Sequence, residues 1–388
     1  MQHYSLVTLI INSFTLLIAR KVRFVLTTIN LQMNKKHQLF FALSLFICIG
    51  FFSVTNAQEK RINQVQVIGS HNSYKQAIDP QLFEYLSQKD TTGGINGLQY
   101  EHIAIIEQLD MGLRNLEIDA YVDKQGGKFA NPAGMQLVST QRAYDTEHLL
   151  NKPGFKVIHI PDIDYRTQYY LLEDCLNDLR KWSESNPEHE TVFITLEPKD
   201  GSKNRFGTTP EPYTPEVYEE LDKQLLKSLT RDHLIVPDDV RGSYNTLNEA
   251  VVNQNWPTIE SGRGKFLFIL DAKDEKRAMY IKGHPSLKDR VLFTNSEPGS
   301  PESGALIMND AKDSRIPEMV RAGYIVRTRA DANTVEARNM DYSNFEAAKK
   351  SGAQIITTDY YLPSTLFDST YKVNFGEGKF SRANPINN

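Results

Sequence analysis

Short runs of β-favouring residues alternate with helical patterns along most of the chain, and this alternation restricts the fold more than any other feature. The predicted strands cover residues 62–68, 113–118, 156–160, 191–196, 265–270, 290–293, 324–328 and 354–358. Helical periodicity precedes four of these strands, at residues 99–109, 169–182, 215–229 and 344–350. Eight strands that alternate with helices are typical of a single α/β domain. We therefore predict a closed (β/α)8 TIM barrel, with its chemistry at the carboxyl ends of the strands.

The first 57 residues are predicted to lie outside the barrel. Residues 33–36 form a short cationic start, residues 39–52 are almost wholly apolar, and Ala57 is a small residue before Gln58. This is the layout of a secretory signal peptide that is cleaved after Ala57, with translation starting at Met33. Two transmembrane helices are the alternative, but both apolar runs are shorter than the roughly 20 residues that a bilayer needs. We predict a signal region over residues 1–57, one barrel domain over residues 58–388, and a secreted or periplasmic protein.

Positive and negative charges are close to balance, with 44 lysines and arginines against 48 aspartates and glutamates. A nucleic-acid-binding protein would show a basic stripe, so we expect no nucleic-acid partner, and no obligate protein partner is evident. The two cysteines are Cys48, inside the predicted signal region, and Cys175. The barrel domain then has one thiol and no intramolecular disulfide, and Cys175 lies on an apolar helical face typical of a buried structural thiol.

Polar side chains of complementary chemistry stand at or just past the ends of four predicted strands. They comprise two imidazoles, one amide and three carboxylates, namely His71, Asn72, Glu117, Asp119, His159 and Glu197. The interiors of the same strands are nearly free of charge, so overall composition does not explain the pattern. Because the strand ends of a barrel open into one mouth, we expect these six side chains to share one space.

The carboxylates indicate a site for a hard cation. Glu117 and Asp119 are two residues apart, and side chains with that spacing point to the same face of an extended strand. With Asn72 and Glu197 they offer only oxygen ligands, which suit Ca²⁺ or Mg²⁺ better than zinc. Calcium is favoured because free calcium is usually high where an exported protein works. A salt-bridged rim is the alternative for two carboxylates at one strand end, but the matching residues on other strands favour the metal site.

The two histidines are predicted to carry acid–base chemistry. His71 and His159 lie on separate predicted strands that flank the carboxylates, and such groups typically give about 10² to 10⁴ in rate each. A single histidine at a strand end is more often structural, and we assign the other histidines of the domain, among them His102, to the surface or the core. No activated serine or cysteine nucleophile is evident. We therefore interpret the constellation as a metal-assisted phosphodiester site.

Four motifs, taken in order, resemble the X-box of calcium-dependent phosphoinositide-specific phospholipases C. They are Gly-Ser-His71-Asn72-Ser-Tyr, residues 112–119, His159 after the third predicted strand, and Leu196-Glu197. Residues 159–166 look like the secreted bacterial branch in particular. The resemblance runs from about residue 61 to about residue 363 and implies a barrel of the phospholipase C-like phosphodiesterase type.

The resemblance also implies a role for each site residue. The implied Ca²⁺ ligands are Asn72, Glu117, Asp119 and Glu197. His71 would stabilise the negative charge of the phosphoryl oxygens, and His159 would protonate the departing diacylglycerol oxygen. Glu117 would take the proton from the inositol 2-hydroxyl as it attacks phosphorus, giving diacylglycerol and a 1,2-cyclic inositol phosphate that is released or hydrolysed. The implied partner is an inositol phospholipid at a membrane surface, contacted by loops of the barrel rim.

Departures from the family bear on the headgroup. Ile269 and Asp271 stand where eukaryotic members have two lysines that recognise ring phosphates, which favours unphosphorylated phosphatidylinositol. Past the seventh predicted strand, Arg327 matches the family, whereas Arg329 replaces a tyrosine that stacks on the ring. Other residues of the mouth could compensate for these losses or have a structural role instead. The predicted substrate-binding residues are Lys199, Arg327, Arg329 and Tyr360.

Two other functions are open on the residues alone. A glycerophosphodiester phosphodiesterase shares the barrel, a first-strand histidine and a Glu-x-Asp pair. Such enzymes usually carry His-Arg at the first strand and a second histidine soon after the acidic pair, whereas here His159 is 40 residues beyond Asp119. A non-catalytic barrel that binds an inositol headgroup is the other alternative, but binding alone does not need two acid–base groups. We predict a phosphoric diester hydrolase that cleaves phosphatidylinositol-type lipids.

Overall fold

The structure, a computed structural model, describes residues 59–201 and 207–387. The predicted signal region, residues 1–57, lies outside the described residues, and so does the predicted cleavage site. The helices of the described part include none that is long and apolar enough to cross a membrane.

Within the described residues, helices and strands alternate much as predicted. The strands are β1 (Val65–Ser70), β2 (Asn115–Asp123), β3 (Gly154–Lys156), β4 (Val192–Lys199), β5 (Phe266–Leu270), β6 (Phe293–Asn295), β7 (Ser303–Ile307), β8 (Ile325–Arg329), β9 (Ile355–Thr358) and β10 (Ser381–Ala383). The α-helices are α1 (Pro80–Lys89), α2 (Ile105–Met111), α3 (Ala133–Leu137), α4 (Leu172–Ser185), α5 (Pro215–Leu229), α6 (Pro237–Arg241), α7 (Leu247–Val252), α8 (Asp274–Ile281), α9 (Ile316–Arg321), α10 (Val335–Asn339) and α11 (Ser343–Ser351). Short 3-10 helices cover Ile62–Gln64, Gly94–Leu98, Leu149–Asn151, Arg231–His233 and Pro285–Leu287.

Eight of the strands close into a parallel barrel. Around the ring, β1 pairs with β2, β2 with β4, and each later strand with the next until β9 pairs again with β1. The register of β2 and β4 runs from Asn115↔Phe193 to Tyr121↔Lys199. The ring confirms the predicted (β/α)8 TIM barrel, and its strands all have their carboxyl ends at the same mouth.

The third predicted strand, residues 156–160, is wrong as a barrel strand. Only its start is extended, in β3, which pairs antiparallel with the end of β2 outside the ring. Val157 and Ile158 are apolar because they are buried in the core, not because they belong to a barrel strand. The barrel strand absent from the prediction is β7, which begins with Ser303 and Gly304 and therefore gives a weak β signal. The predicted number of strands was right, but one member differs.

Gly69 permits the closure of the barrel. A Cβ atom at residue 69 would lie 2.2 Å from the backbone oxygen of Asn115, so any side chain there would push β1 away from β2. Just beyond this contact between Gly69 and Asn115, β1 leads into His71, and β2 continues to Glu117. The close approach of the two strands therefore determines how near these two predicted catalytic residues lie to each other.

The helices pack on the barrel through apolar stripes, and α5 shows how the sequence specifies one. Pro215 opens the helix, and the Thr214 hydroxyl caps it by accepting a hydrogen bond from the backbone N–H of Val217. Leu221 and Leu225 follow at helical spacing and are fully buried. Burying a leucine side chain contributes about 1.5–3 kcal/mol. Such stripes cover the outside of the barrel and leave polar chemistry to the strand ends.

The end of the chain returns to its first strand. β10 pairs antiparallel with β1, with Val67 opposite Ser381. Asn384, just past β10, is buried, and its side-chain amide donates to the backbone oxygen of Gly352 at 2.7 Å. The other edge of β1 pairs with β9 through four residue pairs, from Val67↔Ile355 to Ser70↔Thr358. Strands from the far end of the chain therefore hold β1 in place.

Candidate active site

The turn after β1 is fixed against β2 by one serine. The backbone N–H of Ser73 donates to the Glu117 carbonyl at 2.9 Å, and the Glu117 N–H donates to the Ser73 hydroxyl at 2.8 Å. Asn72, the residue before Ser73, adopts a left-handed conformation with φ of 49°, which asparagine tolerates better than most residues. These contacts hold the His71–Asn72 pair beside the acidic strand, as the sequence predicted.

Three carboxylates meet at the mouth. Glu117 and Asp119 lie on one face of β2, and Asp119 is the register partner of Glu197 on β4. One oxygen from each of the three carboxylates lies within 4.8 Å of the others. The predicted metal-binding carboxylates are therefore brought together by the pairing of two neighbouring strands.

Asp119 is the least compensated of the three. Its side chain is completely buried. The Tyr74 hydroxyl is a neighbour, but neither carboxylate oxygen accepts a hydrogen bond of good geometry. The ammonium of Lys199 lies 3.2 Å from Asp119 Oδ2 and 2.9 Å from Glu197 Oε1. Burial raises the pKa of Asp119 well above its ordinary value, and the charges of Glu197 and Glu117 add to that rise against the effect of Lys199. A carboxylate in such surroundings needs a cation.

The donor set fits Ca²⁺. The side-chain amide nitrogen of Asn72 donates to the Tyr100 hydroxyl at 2.7 Å, which leaves the amide oxygen as the atom that can bind a metal. Three carboxylates and one amide oxygen form an all-oxygen set, and hard cations prefer such ligands. The residues that would hold the ion are Asn72, Glu117, Asp119 and Glu197.

His71 lies between two carboxylates and an arginine. Its Nδ1 is 2.8 Å from Asp359 Oδ1, and its Nε2 is 3.7 Å from Glu117 Oε1. The Arg329 guanidinium lies 3.3–3.4 Å from the two ring nitrogens. Burial and the Arg329 charge lower the pKa of His71 well below its ordinary value, although Glu117 acts in the opposite direction. The imidazole is therefore neutral in the free protein at neutral pH.

His159 reaches the same mouth from a turn outside the ring. Residues 160–164 form this turn, in which the backbones of Ile160 and Asp164 bond to each other in both directions. The carboxylate of Asp164 accepts from His159 Nδ1 at 2.6 Å, and its other oxygen lies 3.2 Å from the buried Lys75 ammonium. Charge on His159 acts on both His71 and Asp359, so the two imidazoles share one electrostatic environment.

The predicted substrate-binding residues separate into two groups. Arg327 contacts the Glu117 carboxylate and the Asn309 side chain, Arg329 lies against His71, and Lys199 lies against Asp119. Tyr360 is not brought to this group, because its ring is buried in a separate apolar cluster beside Phe367 and Tyr371. The two arginines and the lysine therefore share the mouth, and the tyrosine does not.

The residues that orient the two histidines received no role from the sequence. Asp359 directly follows β9 and Asp164 is five residues after His159, so position alone could have suggested both. His102, assigned to the surface or core, is buried and its Nε2 donates to the His71 carbonyl at 2.7 Å. Lys75 also carries no signal in the sequence, because its contact with Asp164 depends on the folded turn.

One family model matches most of the chain. The model of the family described as phosphoinositide phospholipase C, Ca²⁺-dependent, matches residues 60–385. Comparison with curated proteins gives no match.

Solved structures of bacterial phospholipases C are similar at low identity. The calcium-dependent phosphoinositol-specific phospholipase C of a Pseudomonas species has 15% identity and a TM-score of 0.49, over 84% of this chain and 95% of that one. The Ca²⁺-dependent phosphatidylinositol-specific enzyme of Streptomyces antibioticus has 18% identity and a TM-score of 0.48, over 81% and 99% of the two chains. The phosphatidylinositol-specific enzyme of Listeria monocytogenes has 12% identity and a TM-score of 0.42, over 79% and 91%.

Proposed function

Because the chain belongs to the family of Ca²⁺-dependent phosphoinositide phospholipases C, we propose that it cleaves phosphatidylinositol by attack of the inositol 2-hydroxyl on phosphorus. The family prediction is confirmed, and with it the assignment to Ca²⁺-dependent phosphodiesterases. The site residues and their roles are part of the proposal. The observation that carries it is the meeting, at one mouth, of an all-oxygen ligand set with two imidazoles that each contact a buried carboxylate.

The calcium ligands prepare the attacking group. When bound, Ca²⁺ supplies a Lewis acid that neutralises phosphoryl charge and lowers the pKa of a bound hydroxyl. Arg327 fixes one oxygen of Glu117, and the other oxygen lies 3.7 Å from His71 Nε2. This second oxygen takes the proton from the inositol 2-hydroxyl as the new oxygen–phosphorus bond forms.

His71 holds the phosphoryl group during the attack. Its Nδ1 is bound by Asp359, so Nε2 is the ring atom that can meet a phosphoryl oxygen. In the free protein the pKa of His71 is lowered by burial and by Arg329. An arriving phosphodiester brings a negative charge, which favours the charged imidazolium. His71 is therefore placed to stabilise the negative charge of the phosphoryl oxygens through Nε2.

His159 acts on the departing side. Its Nδ1 faces Asp164, which leaves Nε2 to give a proton to the diacylglycerol oxygen as the bond from phosphorus to that oxygen breaks. The products are diacylglycerol and a 1,2-cyclic inositol phosphate. Asp164 is itself fixed by Lys75 at 3.2 Å, which holds His159 in a defined orientation. In-line displacement requires that this acid act on the side of phosphorus opposite the base.

The residues at the end of β5 favour a substrate whose inositol ring carries no additional phosphate. Asp271 follows β5, and its pKa is raised to about 6 by burial, with Arg327 acting in the opposite direction. Ile269 is buried in the barrel. A carboxyl group at this place repels additional ring phosphates, whereas Arg329 and Lys199 remain at the mouth for the single phosphodiester.

Exposed apolar side chains support action at a membrane surface. Six large apolar side chains of the described residues are 36–54% exposed, and four of them are Leu137, Val335, Met340 and Leu362. These four lie on the connections that follow β2, β8 and β9, at the same end of the barrel as the site. Apolar groups around the mouth would enter the lipid surface while the headgroup enters the barrel. Secretion through the signal region completes the proposal and gives the enzyme access to external calcium.

The test is hydrolysis of phosphatidylinositol vesicles by the purified protein, with calcium or with a chelator, followed by phosphorus NMR. We expect a calcium-dependent signal of 1,2-cyclic inositol phosphate, and we expect His159→Ala to remove it while the protein remains folded. Turnover of glycerophosphodiesters with no cyclic product would support the glycerophosphodiesterase alternative instead. Binding of inositol lipid with no turnover in the wild type would support a non-catalytic barrel.

A further inference from the structure

Lys199 stands inside the group of residues proposed to bind calcium. Its ammonium lies 3.2 Å from Asp119 Oδ2 and 2.9 Å from Glu197 Oε1. These oxygens belong to two of the three carboxylates that converge within 4.8 Å. The lysine therefore contacts the same atoms that a calcium ion would need.

In the calcium-free protein, Lys199 compensates the negative charge of the buried Asp119. Asp119 is completely buried and neither of its oxygens accepts a hydrogen bond, while a buried charge without a partner is strongly destabilising. Arg327 compensates Glu117 on the other side of the cluster. Among the ion pairs of the described residues, Lys199 is thus the cation that contacts Asp119.

Lysine and calcium cannot both hold these oxygens. Calcium binds carboxylate oxygens at about 2.3–2.6 Å, so an ammonium 2.9–3.2 Å from the same oxygens would stand directly beside a doubly charged ion. Repulsion between like charges at that separation is large where water is largely excluded. The Lys199 side chain is 22% exposed, so its ammonium can move away from the carboxylates into solvent.

We propose that Lys199 is an internal cation that neutralises the ligand cluster before calcium binds and is displaced when calcium arrives, a role that rests on the proposed calcium site. The displaced ammonium stays at the mouth, where the anionic phosphodiester enters. Lys199 therefore competes with calcium and raises the calcium concentration needed to occupy the site. Its ammonium becomes available to the substrate only after calcium has bound. No proton transfer is involved, since one cation replaces another.

Lys276 provides a matched control. Its ammonium donates to the Pro198 carbonyl at 3.0 Å and pairs with the Asp200 carboxylate. It therefore lies next to the same stretch of β4, but its partner is outside the proposed ligand set. Removal of either lysine changes the net charge near the site equally, and only Lys199 contacts ligand oxygens.

The experiment is calorimetric titration of calcium into metal-depleted wild type, Lys199→Met and Lys276→Met. We expect Lys199→Met to bind calcium at least about tenfold more tightly than the wild type, and Lys276→Met to stay within about twofold. In chelator, Lys199→Met should melt below the wild type, and saturating calcium should remove that difference, since calcium then supplies the counter-charge in both proteins. Should Lys199→Met not fold, Lys199→Gln gives the same comparison.

Two outcomes separate a failure of this inference from a failure of the proposed function. If the wild type binds calcium, Asp119→Asn abolishes binding, and Lys199→Met binds no more tightly than Lys276→Met, the displacement is overturned and the calcium site stands. If no variant and no wild-type protein binds calcium, the proposed site is overturned and the displacement with it.

A second measurement follows the lysine itself. Reductive methylation with mass-spectrometric readout should label Lys199 more strongly in calcium than in chelator, because displacement exposes the amine. Labelling of Lys276 should stay the same in both conditions. Equal labelling of Lys199 with and without calcium would overturn the displacement.

Discussion

Two buried charge clusters in the same barrel differ in how completely they are compensated. The first, the Arg290 cluster, comprises Glu219, Asp222, Tyr280 and Arg290 and lies among α5, α8 and the chain that enters β6. The second is the acidic cluster of Glu117, Asp119 and Glu197 at the barrel mouth. Both contain buried aspartates, so burial alone does not distinguish them.

The aspartate of the Arg290 cluster is fully bonded. Asp222 Oδ1 accepts from the Tyr280 hydroxyl at 2.8 Å, and its Oδ2 accepts from Arg290 at 3.1 Å. Arg290 also donates to the Tyr280 carbonyl at 2.7 Å and lies 2.7 Å from Glu219. By contrast, Asp119 at the mouth accepts no hydrogen bond. Each oxygen of Asp222 therefore has a donor within its cluster, whereas Asp119 has none, and this difference supports the proposal that the acidic cluster binds a cation.

Removing one charge of the acidic cluster should abolish most of the activity. Asp119→Asn should lower the rate of phosphatidylinositol cleavage at saturating calcium by on the order of 10³-fold, because several kcal/mol of metal-assisted charge stabilisation is lost. In chelator the variant should melt at or above the wild-type temperature, since a completely buried charge is removed while Lys199 stays paired with Glu197. Activity assays and thermal unfolding with chelator check both parts. A variant that melts far below wild type in chelator but keeps its activity would show that Asp119 serves the fold and not the binding of calcium.

Removing the arginine of the Arg290 cluster should destabilise the fold. Arg290→Met should lower the free energy of unfolding by about 3 kcal/mol, because it leaves Asp222 buried without its cation. Calcium affinity measured by calorimetry should stay at the wild-type value, since the described ion pairs and hydrogen bonds of Arg290 include none of the proposed ligand residues. Urea unfolding gives the stability change, with Arg315→Met, at an arginine paired on the surface, as the control. A loss of calcium binding in the folded Arg290→Met variant would show that the two clusters are coupled.

A third, smaller effect concerns a buried histidine inside the site. His102 is buried, its Nε2 donates to the His71 carbonyl, and its Nδ1 has no partner. Burial lowers the pKa of His102 to about 4, against the effects of Asp359 and the bond to His71. The unfolded chain takes up this proton near pH 6.5, so stability is present above that pH and is lost as the pH falls toward 4.

From pH 7 to pH 5, this histidine should therefore lower the free energy of unfolding by about 2 kcal/mol. Urea unfolding of the wild type and His102→Gln at both pH values isolates the contribution, because all other titrating groups are common to the two proteins. The wild type should lose about 2 kcal/mol more than the variant. Identical pH dependence in the two proteins would mean that His102 is not held neutral by burial.

The sequence predicted the architecture and the acidic face because both depend on local patterns. Alternation of apolar residues located seven of the eight barrel strands, and spacing alone placed Glu117 and Asp119 on one face. It failed at residues 156–160, where apolar side chains enter the core without a barrel strand, and at β7, whose small residues resemble a loop.

Contacts that cross the barrel were beyond local patterns. Glu117 and Arg327 are 210 positions apart, and their contact exists only because the ring closes. The partnership of His71 with Asp359 likewise joins the turn after β1 to the end of β9. Arg327 was predicted from the family resemblance to bind substrate, but the resemblance did not show that it also holds the predicted base.

The return of the chain's end to β1 also determines when activity can arise during synthesis. On the ribosome, β1 emerges first, yet its main partners, β9 and β10, are made last. Contacts between distant parts of a chain form slowly and leave strand edges open in the meantime. His71 cannot meet Asp359 until nearly the whole protein has been translated. If His71 and Asp359 act together as proposed, the chain is inactive until the ring closes.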